Sequence, residues 1–254
     1  MKLIDSHCHL DFKDFQNDRD QLISNAMHKG VEQFVIPGVK ADSWSQLIHT
    51  CHDNPVLHFA LGMHPYFIDQ HDETHLAKLE QLIKTHCPVA IGEIGLDYFD
   101  KSLDRKKQQF FFVHQLELAE QLKLPVIVHA RKSVDDVLQF IKQADFNQGG
   151  IMHAYNGSLQ QADKLIGLGF KLGFGGMLTY EKSTKLRSLA EQLPLDSIVL
   201  ETDAPDMTGQ EHHGQRNSPE YLPEIAQALA QVKQMDIKKI AMQTTANVKQ
   251  LLKI

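Results

Sequence analysis

Eight short apolar segments alternate with helical patterns along the chain. Some, such as residues 34–36 and 198–200, are apolar at every position, which is typical of strands buried on both faces. Eight strand–helix repeats predict an α/β fold of parallel strands closed as a (β/α)8, or TIM, barrel. The predicted strands are 3–9, 33–38, 56–62, 88–93, 125–129, 150–153, 170–175 and 197–203, and the predicted helices are 18–29, 42–53, 74–86, 104–123, 133–144, 159–167, 183–193 and 219–253, the last divided near Asp236.

The length of the chain agrees with this fold. The chain has 254 residues, and a (β/α)8 barrel typically needs about 250, so we expect one domain over residues 1–254. Apolar residues make up 42% of the chain and charged residues 23%, which is ordinary for a globular protein with a sizeable core.

Neither a membrane anchor nor a disulfide framework is expected. No apolar run approaches the roughly 18 residues that cross a bilayer, and the chain starts almost directly with a strand. The three cysteines, Cys8, Cys51 and Cys87, are widely and irregularly spaced. These features predict a cytoplasmic protein without membrane association, and nothing in the sequence predicts an obligate protein partner.

The net charge restricts the possible partners. At −6 it offers no broad basic face for wrapping duplex DNA. Two divalent ions would add four positive charges at one place, so an anionic substrate is still compatible with the sequence.

Acidic and imidazole side chains lie at or just beyond the carboxyl ends of six predicted strands. In a parallel barrel those ends meet at one mouth, where catalytic groups from separate strands come together. The sequence therefore predicts a metallohydrolase. The candidates are His7 and His9 after the first strand, His64 after the third, Glu93 at the fourth, His129 at the fifth, His153 at the sixth and Asp203 at the eighth.

The spacing of these residues indicates how they could bind metal. His7 and His9 leave an extended strand on the same face, so both imidazoles can bind one ion, whereas an isolated pair could be two surface histidines. Glu93 shares strand parity with its apolar neighbours, so it is expected to enter the barrel, where an unpaired acid is unfavourable. Its two oxygens could bridge two ions; the alternative is a structural salt bridge.

The later strands supply the remaining candidates. His129 and His153 end neighbouring strands about 4.8 Å apart, so both rings can reach one ion. Asp203 could bind an ion, accept a proton from a water molecule, or do both. Glu201 has the same parity and could orient a ligand histidine or be a buried structural acid.

Five residues are candidates for substrate contact. His64 better suits a hydrogen bond to substrate than metal binding. Arg131 could bind a phosphate or carboxylate through its forked guanidinium, or be an ordinary solvated arginine. Arg216, Asn217 and Tyr98 could contact a phosphate, or could equally stabilise their own loops.

Six short motifs follow one another along essentially the whole chain. They are Asp5-Ser-His-Cys-His-Leu-Asp11, Gly62-Met-His-Pro65, Gly92-Glu-Ile-Gly-Leu-Asp-Tyr98, Val128-His-Ala-Arg131, Glu201-Thr-Asp-Ala-Pro205 and Arg216-Asn-Ser-Pro219. Together they resemble the TatD-type deoxyribonuclease family of metal-dependent hydrolases, and in particular its YjjV-like bacterial branch.

The resemblance implies a TIM barrel of the amidohydrolase type with two divalent ions, acting on DNA 3′ ends or another phosphoester. It implies a substrate-side role for His64. Residues 154–158 and 177–183 depart from the family pattern, which leaves the substrate preference open. The metal ligands that it implies are His7, His9, Glu93, His129, His153 and Asp203.

The leading hypothesis is hydrolysis of phosphodiester bonds at DNA ends, in the manner of a 3′–5′ exonuclease, by water that two metal ions activate. Asp203 would accept the proton, while His64 and Arg131 would stabilise charge on the phosphoryl oxygens. The alternatives are an amidase, lactonase or deaminase acting on a small carbonyl substrate, and a non-catalytic scaffold. Four histidines with two carboxylates suit zinc or manganese, whereas magnesium would favour more oxygen ligands.

Overall fold

The computed structural model describes residues 1–254, with eight strands and nine α-helices. The strands are β1 (Leu3–Asp5), β2 (Val31–Pro37), β3 (Leu57–Leu61), β4 (Ala90–Asp97), β5 (Val126–Arg131), β6 (Gly150–Met152), β7 (Phe170–Phe174) and β8 (Ile198–Leu200). The helices are α1 (Arg19–His28), α2 (Trp44–His52), α3 (Thr74–His86), α4 (Arg105–Leu122), α5 (Val134–Gln143), α6 (Leu159–Gly167), α7 (Thr184–Gln192), α8 (Leu222–Lys233) and α9 (Ile237–Leu252).

The strands form one eight-stranded sheet in sequence order, from β1 to β8. Neighbouring strands are parallel, as in β4 and β5, where Gly95 lies opposite His129. The chain just after β1 also meets the end of β8, because the backbone N–H of Ser6 donates to the carbonyl of Leu200 at 3.0 Å. Parallel strands in this order, separated by helices, confirm the predicted (β/α)8 fold class.

Three predicted strand ends were wrong by more than two residues. β8 ends at Leu200, so Asp203 lies in the loop after the strand rather than at its end. β1 ends at Asp5, so the segment around His7 and His9 is a loop rather than the end of a strand. β4 continues to Asp97, because residues 94–97 pair with β5, and Glu93 therefore lies inside the strand.

Side-chain caps explain where several helices begin. A carboxylate oxygen of Asp104 accepts from the backbone N–H groups of Lys106 and Lys107, at 2.8 and 3.1 Å, at the start of α4. Asp236 caps α9 in the same way and divides the last predicted helix into α8 and α9.

The chain is organised in two compact units. The first unit comprises Met1–Ile36, Ala154–Leu159 and Lys171–Ile254, and the second comprises Pro37–His153 and Gln160–Phe170. That residues 1–254 form one domain stays a prediction. None of the helices is both long enough and apolar enough to cross a membrane.

Each unit has its own buried aromatic side chains. Phe15, Phe34 and Phe174 are buried in the first unit. In the second, buried Trp44 donates from Nε1 to the carbonyl of Gly62 at 3.0 Å. In the phenylalanine run of α4, Phe111 and Phe112 are buried, whereas Phe110 is 37% exposed.

Candidate metal centre

The first unit brings three predicted ligands together. The Nε2 atoms of His7 and His9 lie 3.2 Å apart, and each is 3.6 Å from Oδ1 of Asp203. Both imidazoles are buried, while the Asp203 side chain keeps 15% of its surface exposed. We call these three residues the histidine–aspartate group.

Backbone hydrogen bonds hold this group in place although none of its members lies in a strand. The N–H of Asp203 donates to the carbonyl of His7 at 2.9 Å, and the N–H of His9 donates to the carbonyl of Ala204 at 2.8 Å. Asp203 has a φ of +58°, a left-handed conformation that is uncommon outside glycine. The two loops are thus fastened to each other next to the ligand atoms.

Buried Asp5 supports the same two loops through hydrogen bonds. Its carboxylate accepts from the N–H and hydroxyl of Thr202, at 3.0 and 2.6 Å, and from the N–H of His7 at 3.3 Å. Burial raises the pKa of Asp5 to about 7. This role of Asp5 was not predicted from the sequence, although an acid at the end of an apolar strand is a usable signal.

The structure gives Asn217 structural contacts. Its side chain is buried, and Nδ2 donates to the carbonyls of Thr202 and Asp206 at 2.7 and 2.6 Å. Its Oδ1 accepts from the N–H of Ser218 at 2.8 Å. Asn217 therefore supports the loop that carries Asp203, one of the two roles left open by the sequence.

The second unit brings another ligand set together around Glu93. Oε1 of this carboxylate lies 3.3 Å from Nε2 of His64 and 3.3 Å from Nδ1 of His129. Nδ1 of His64 accepts from the N–H of Tyr66 at 3.0 Å, which directs Nε2 towards Glu93. His64, Glu93 and His129, the histidine–glutamate group, could together hold a metal ion, so His64 is also a ligand candidate.

Close backbone packing fixes the position of Glu93. A Cβ on Gly62 would lie 2.6 Å from the carbonyl carbon of Gly92 and 2.8 Å from the carbonyl oxygen of Glu93, so only glycine fits there. The N–H of Glu93 donates to the carbonyl of Gly38 at 2.8 Å.

Asp97 is a further site residue that the sequence analysis missed. Its Oδ2 lies 3.1 Å from Nε2 of His129, and Oδ1 accepts from the N–H of Phe99 at 2.9 Å. Burial alone would lower the pKa of His129, but hydrogen bonds to Asp97 and Glu93 raise it. A carboxylate on the far nitrogen commonly orients a metal-binding imidazole. The third motif contained Asp97, but sequence parity alone could not show which ring it faces.

His153 lies beside His129 in the second unit. The two rings are nearly parallel, with centroids 6.3 Å apart, and the N–H of His153 donates to the carbonyl of Val128 at 3.0 Å. In the first unit, Glu201 is buried and accepts from the N–H of Ala154 at 2.7 Å.

Both groups fit a divalent metal by their donor chemistry. Each combines imidazole nitrogens with a carboxylate oxygen, the mixture that first-row transition metals bind. Donors about 3.3 Å apart are expected when two ligands each lie about 2.0–2.1 Å from a tetrahedral zinc ion. The distances of 3.2 and 3.3 Å within the groups agree with this separation.

The other three residues predicted to contact substrate differ in the partners that they have within the protein. Tyr98 donates its hydroxyl to Asp136 at 2.9 Å. The guanidinium of Arg216 forms an ion pair with Asp18. The guanidinium of Arg131 lies 3.7 Å from the ring centroid of Phe99 and has no carboxylate partner. Substrate contact stays a prediction for all three.

With this geometry established, comparison with known proteins identifies the family. The family model described as TatD related DNase matches residues 4–253. The chain belongs to this family.

Individual relatives agree with the assignment. An uncharacterized metal-dependent hydrolase of Escherichia coli K12, YjjV, is 36% identical, with 94% of this chain and 93% of YjjV aligned. YabD of Bacillus subtilis, also an uncharacterized metal-dependent hydrolase, is 33% identical over 99% of both chains. The crystal structure of YjjV, a TatD homologue, superposes with a TM-score of 0.96 at 35% identity, covering 99% of this chain and 98% of YjjV. The protein is therefore a metal-dependent hydrolase of the TatD family.

Proposed function

We propose that this hydrolase is a deoxyribonuclease that removes nucleotides from DNA ends in the 3′-to-5′ direction. The observation that carries the proposal is the presence of two compact groups of metal-binding side chains, one in each unit, within a chain of the TatD-related DNase family. A phosphodiester is a suitable substrate, because paired divalent ions are common in enzymes that cleave it.

The proposal assigns two divalent ions to His7, His9, Glu93, His129, His153 and Asp203, and keeps Nε2 of His64 for contact with the substrate, because Nδ1 accepts from the N–H of Tyr66 and the proton of the neutral ring is then on Nε2. When bound, such ions polarise a phosphoryl oxygen and lower the pKa of water towards neutrality. The donor set favours zinc or manganese over magnesium because nitrogen ligands predominate.

The protein's own residues would move the proton and stabilise charge. Asp203 would accept the proton of the attacking water, because its carboxylate is partly exposed while its backbone is fixed. Nε2 of His64 and the guanidinium of Arg131 would donate hydrogen bonds to the phosphoryl oxygens as negative charge develops. Asp97 would keep the ring of His129 oriented.

The charge of the protein favours a strand end as substrate. The net charge of −6 gives little general attraction for duplex DNA. Binding would then depend on a few local contacts to terminal phosphates, which a loop-lined mouth can supply.

The experiment is a metal analysis followed by a substrate panel. We expect the purified protein to contain zinc or manganese and, after chelation and add-back, to shorten an oligonucleotide labelled at its 5′ end one nucleotide at a time. A lactone, an amide and a cytidine are tested in parallel. Faster hydrolysis of any of these, with no metal-dependent shortening of DNA, would replace the nuclease by a small-molecule hydrolase.

A variant tests whether the histidine–glutamate group binds the metal on which activity depends. Glu93→Ala removes the carboxylate that His64 and His129 face, so metal and activity should be lost together. Glu80→Ala is the matched control, because the Glu80 side chain is partly exposed on α3 and pairs only with Lys84.

A further inference from the structure

We propose that Phe99 and Arg131 form a nucleotide subsite, in which an unpaired base of the substrate strand stacks on the ring of Phe99 and Arg131 donates hydrogen bonds to the adjacent phosphate. The inference rests on the proposed function and adds to it the part of the substrate that is recognised beside the scissile bond.

The exposure of Phe99 is the first observation. Its side chain is 56% exposed, although it follows a strand whose residues are all buried. Phe99 and Tyr66 are the most exposed aromatic side chains of the chain, and both lie in segments that follow strands, Phe99 in a loop and Tyr66 in a short 3-10 helix. A ring so placed contributes little to a core and is available for contact with a ligand.

The second observation is the guanidinium on this ring. Its central carbon lies 3.7 Å from the ring centroid of Phe99, and Arg131 is exposed and has no carboxylate partner. The guanidinium faces the ring, so its N–H donors at the edges remain able to bind a phosphate. An exposed aromatic ring next to an unpaired arginine is the combination with which proteins bind unpaired nucleotides.

The subsite is connected directly to the histidine–glutamate group. Asp97 accepts from the N–H of Phe99 through one oxygen and faces His129 through the other. Arg131 lies two residues after His129 on β5, about 7 Å further along the strand. Asp97 and Arg131 are also register partners between β4 and β5. A nucleotide beside a phosphate bound at His129 would therefore reach this pair.

The base must be unpaired, because stacking on a side chain requires an open π face. Every base offers such a face, so the contact is tolerant of sequence. We expect the subsite to favour a single strand or a frayed end without selecting a particular base.

The test is binding of a fluorescent hexathymidylate, measured by anisotropy in the Asp203→Asn background with saturating manganese to prevent turnover. Phe99→Ala should weaken binding about 5- to 100-fold, the range expected for one base–aromatic stack. Phe99→Tyr should restore binding to within about twofold. Phe110→Ala, which removes another exposed ring on α4, is the control and should change nothing.

An abasic scan of the same oligonucleotide locates the base. At one position, loss of the base should weaken binding to the parent but not to Phe99→Ala, because the contact is then already absent. Equal binding by Phe99→Ala and its parent, or additive effects at every position, would refute the subsite. If the wild type neither binds nor cleaves the oligonucleotide, the proposed function itself is refuted.

Discussion

Each unit places an arginine over a phenylalanine, but in different surroundings. In the first unit the arginine lies in the loop after β8, and in the second it is the last residue of β5 and faces the loop after β4. Arg216 lies over the buried ring of Phe15, 4.7 Å from its centroid, and pairs with Asp18. Arg131 lies over the exposed ring of Phe99 without a carboxylate partner.

This difference suggests that the two regions have different roles, one in supporting a catalytic loop and the other in contacting substrate. In the first unit, buried groups such as Asp5 and Asn217 use their hydrogen bonds to fix the loop that carries Asp203. In the second unit, Arg131 and the ring of Phe99 remain exposed at the surface. We therefore expect substitutions in the first unit to affect catalysis and stability, and those around Arg131 to affect substrate binding.

The largest effect should come from Asp203→Asn in the first unit. The amide cannot accept the proton but keeps the size of the side chain, so kcat should fall about 1000-fold while much of the metal is retained. The measurements are steady-state kinetics and metal content, with Glu93→Ala as the comparison that loses both. A kcat equal to that of the wild type at saturating metal would show that Asp203 is not the base.

Asn217→Ala should destabilise the first unit. It leaves the carbonyls of Thr202 and Asp206 without their buried donor, so the free energy of unfolding should fall by about 2–4 kcal/mol. Urea denaturation measures this fall. Arg216→Ala, at the preceding position, removes an exposed ion pair, a hydrogen bond to the carbonyl of Asp14 and the contact with the ring of Phe15. Because the guanidinium is largely solvated, the cost should be only about 1 kcal/mol; equal losses would contradict the proposed support of the loop.

The two arginines should differ in substrate binding. Arg131→Ala removes unpaired donors, so KM for an oligonucleotide should rise about tenfold, as expected for a charged hydrogen bond. Arg216→Ala should leave KM within about twofold of the wild type, because that guanidinium is already paired with Asp18. The kinetics need one fixed salt concentration, and the reverse order would place substrate recognition in the first unit.

The smallest expected effect concerns the acid stability of the second unit. Burial, with smaller contributions from His75 and Lys107, lowers the pKa of His71 to about 4 from 6.5. The folded state thus favours the neutral ring, whose Nε2 accepts from the N–H of Ala41 at 3.2 Å. This contribution to stability is present above pH 6.5 and is lost as the pH falls towards 4.

His71→Gln keeps an acceptor but cannot become protonated. Its free energy of unfolding should therefore fall less steeply than that of the wild type between pH 6.5 and 4. Denaturant titrations at several pH values give the two slopes, and identical slopes would show that His71 does not titrate in this range.

Much of the fold could be predicted because its signal is periodic and local. Helices α3 and α6 have their predicted bounds, and the other helices begin and end within a few residues of the predictions. The extent of β4 could not be predicted, since its last residues are defined by pairing with β5 rather than by their own composition.

By itself, the sequence determined the order of strands and helices and the kinds of donor available for metal. Both follow from residue identity and short-range spacing. Only the tertiary structure decided that His64 faces Glu93, that Asp97 faces His129, and that Arg131 is unpaired whereas Arg216 is not. The physical reason is that a hydrogen bond depends on the distance between two groups and on their burial. For residues far apart in sequence, both are set only when the whole chain folds.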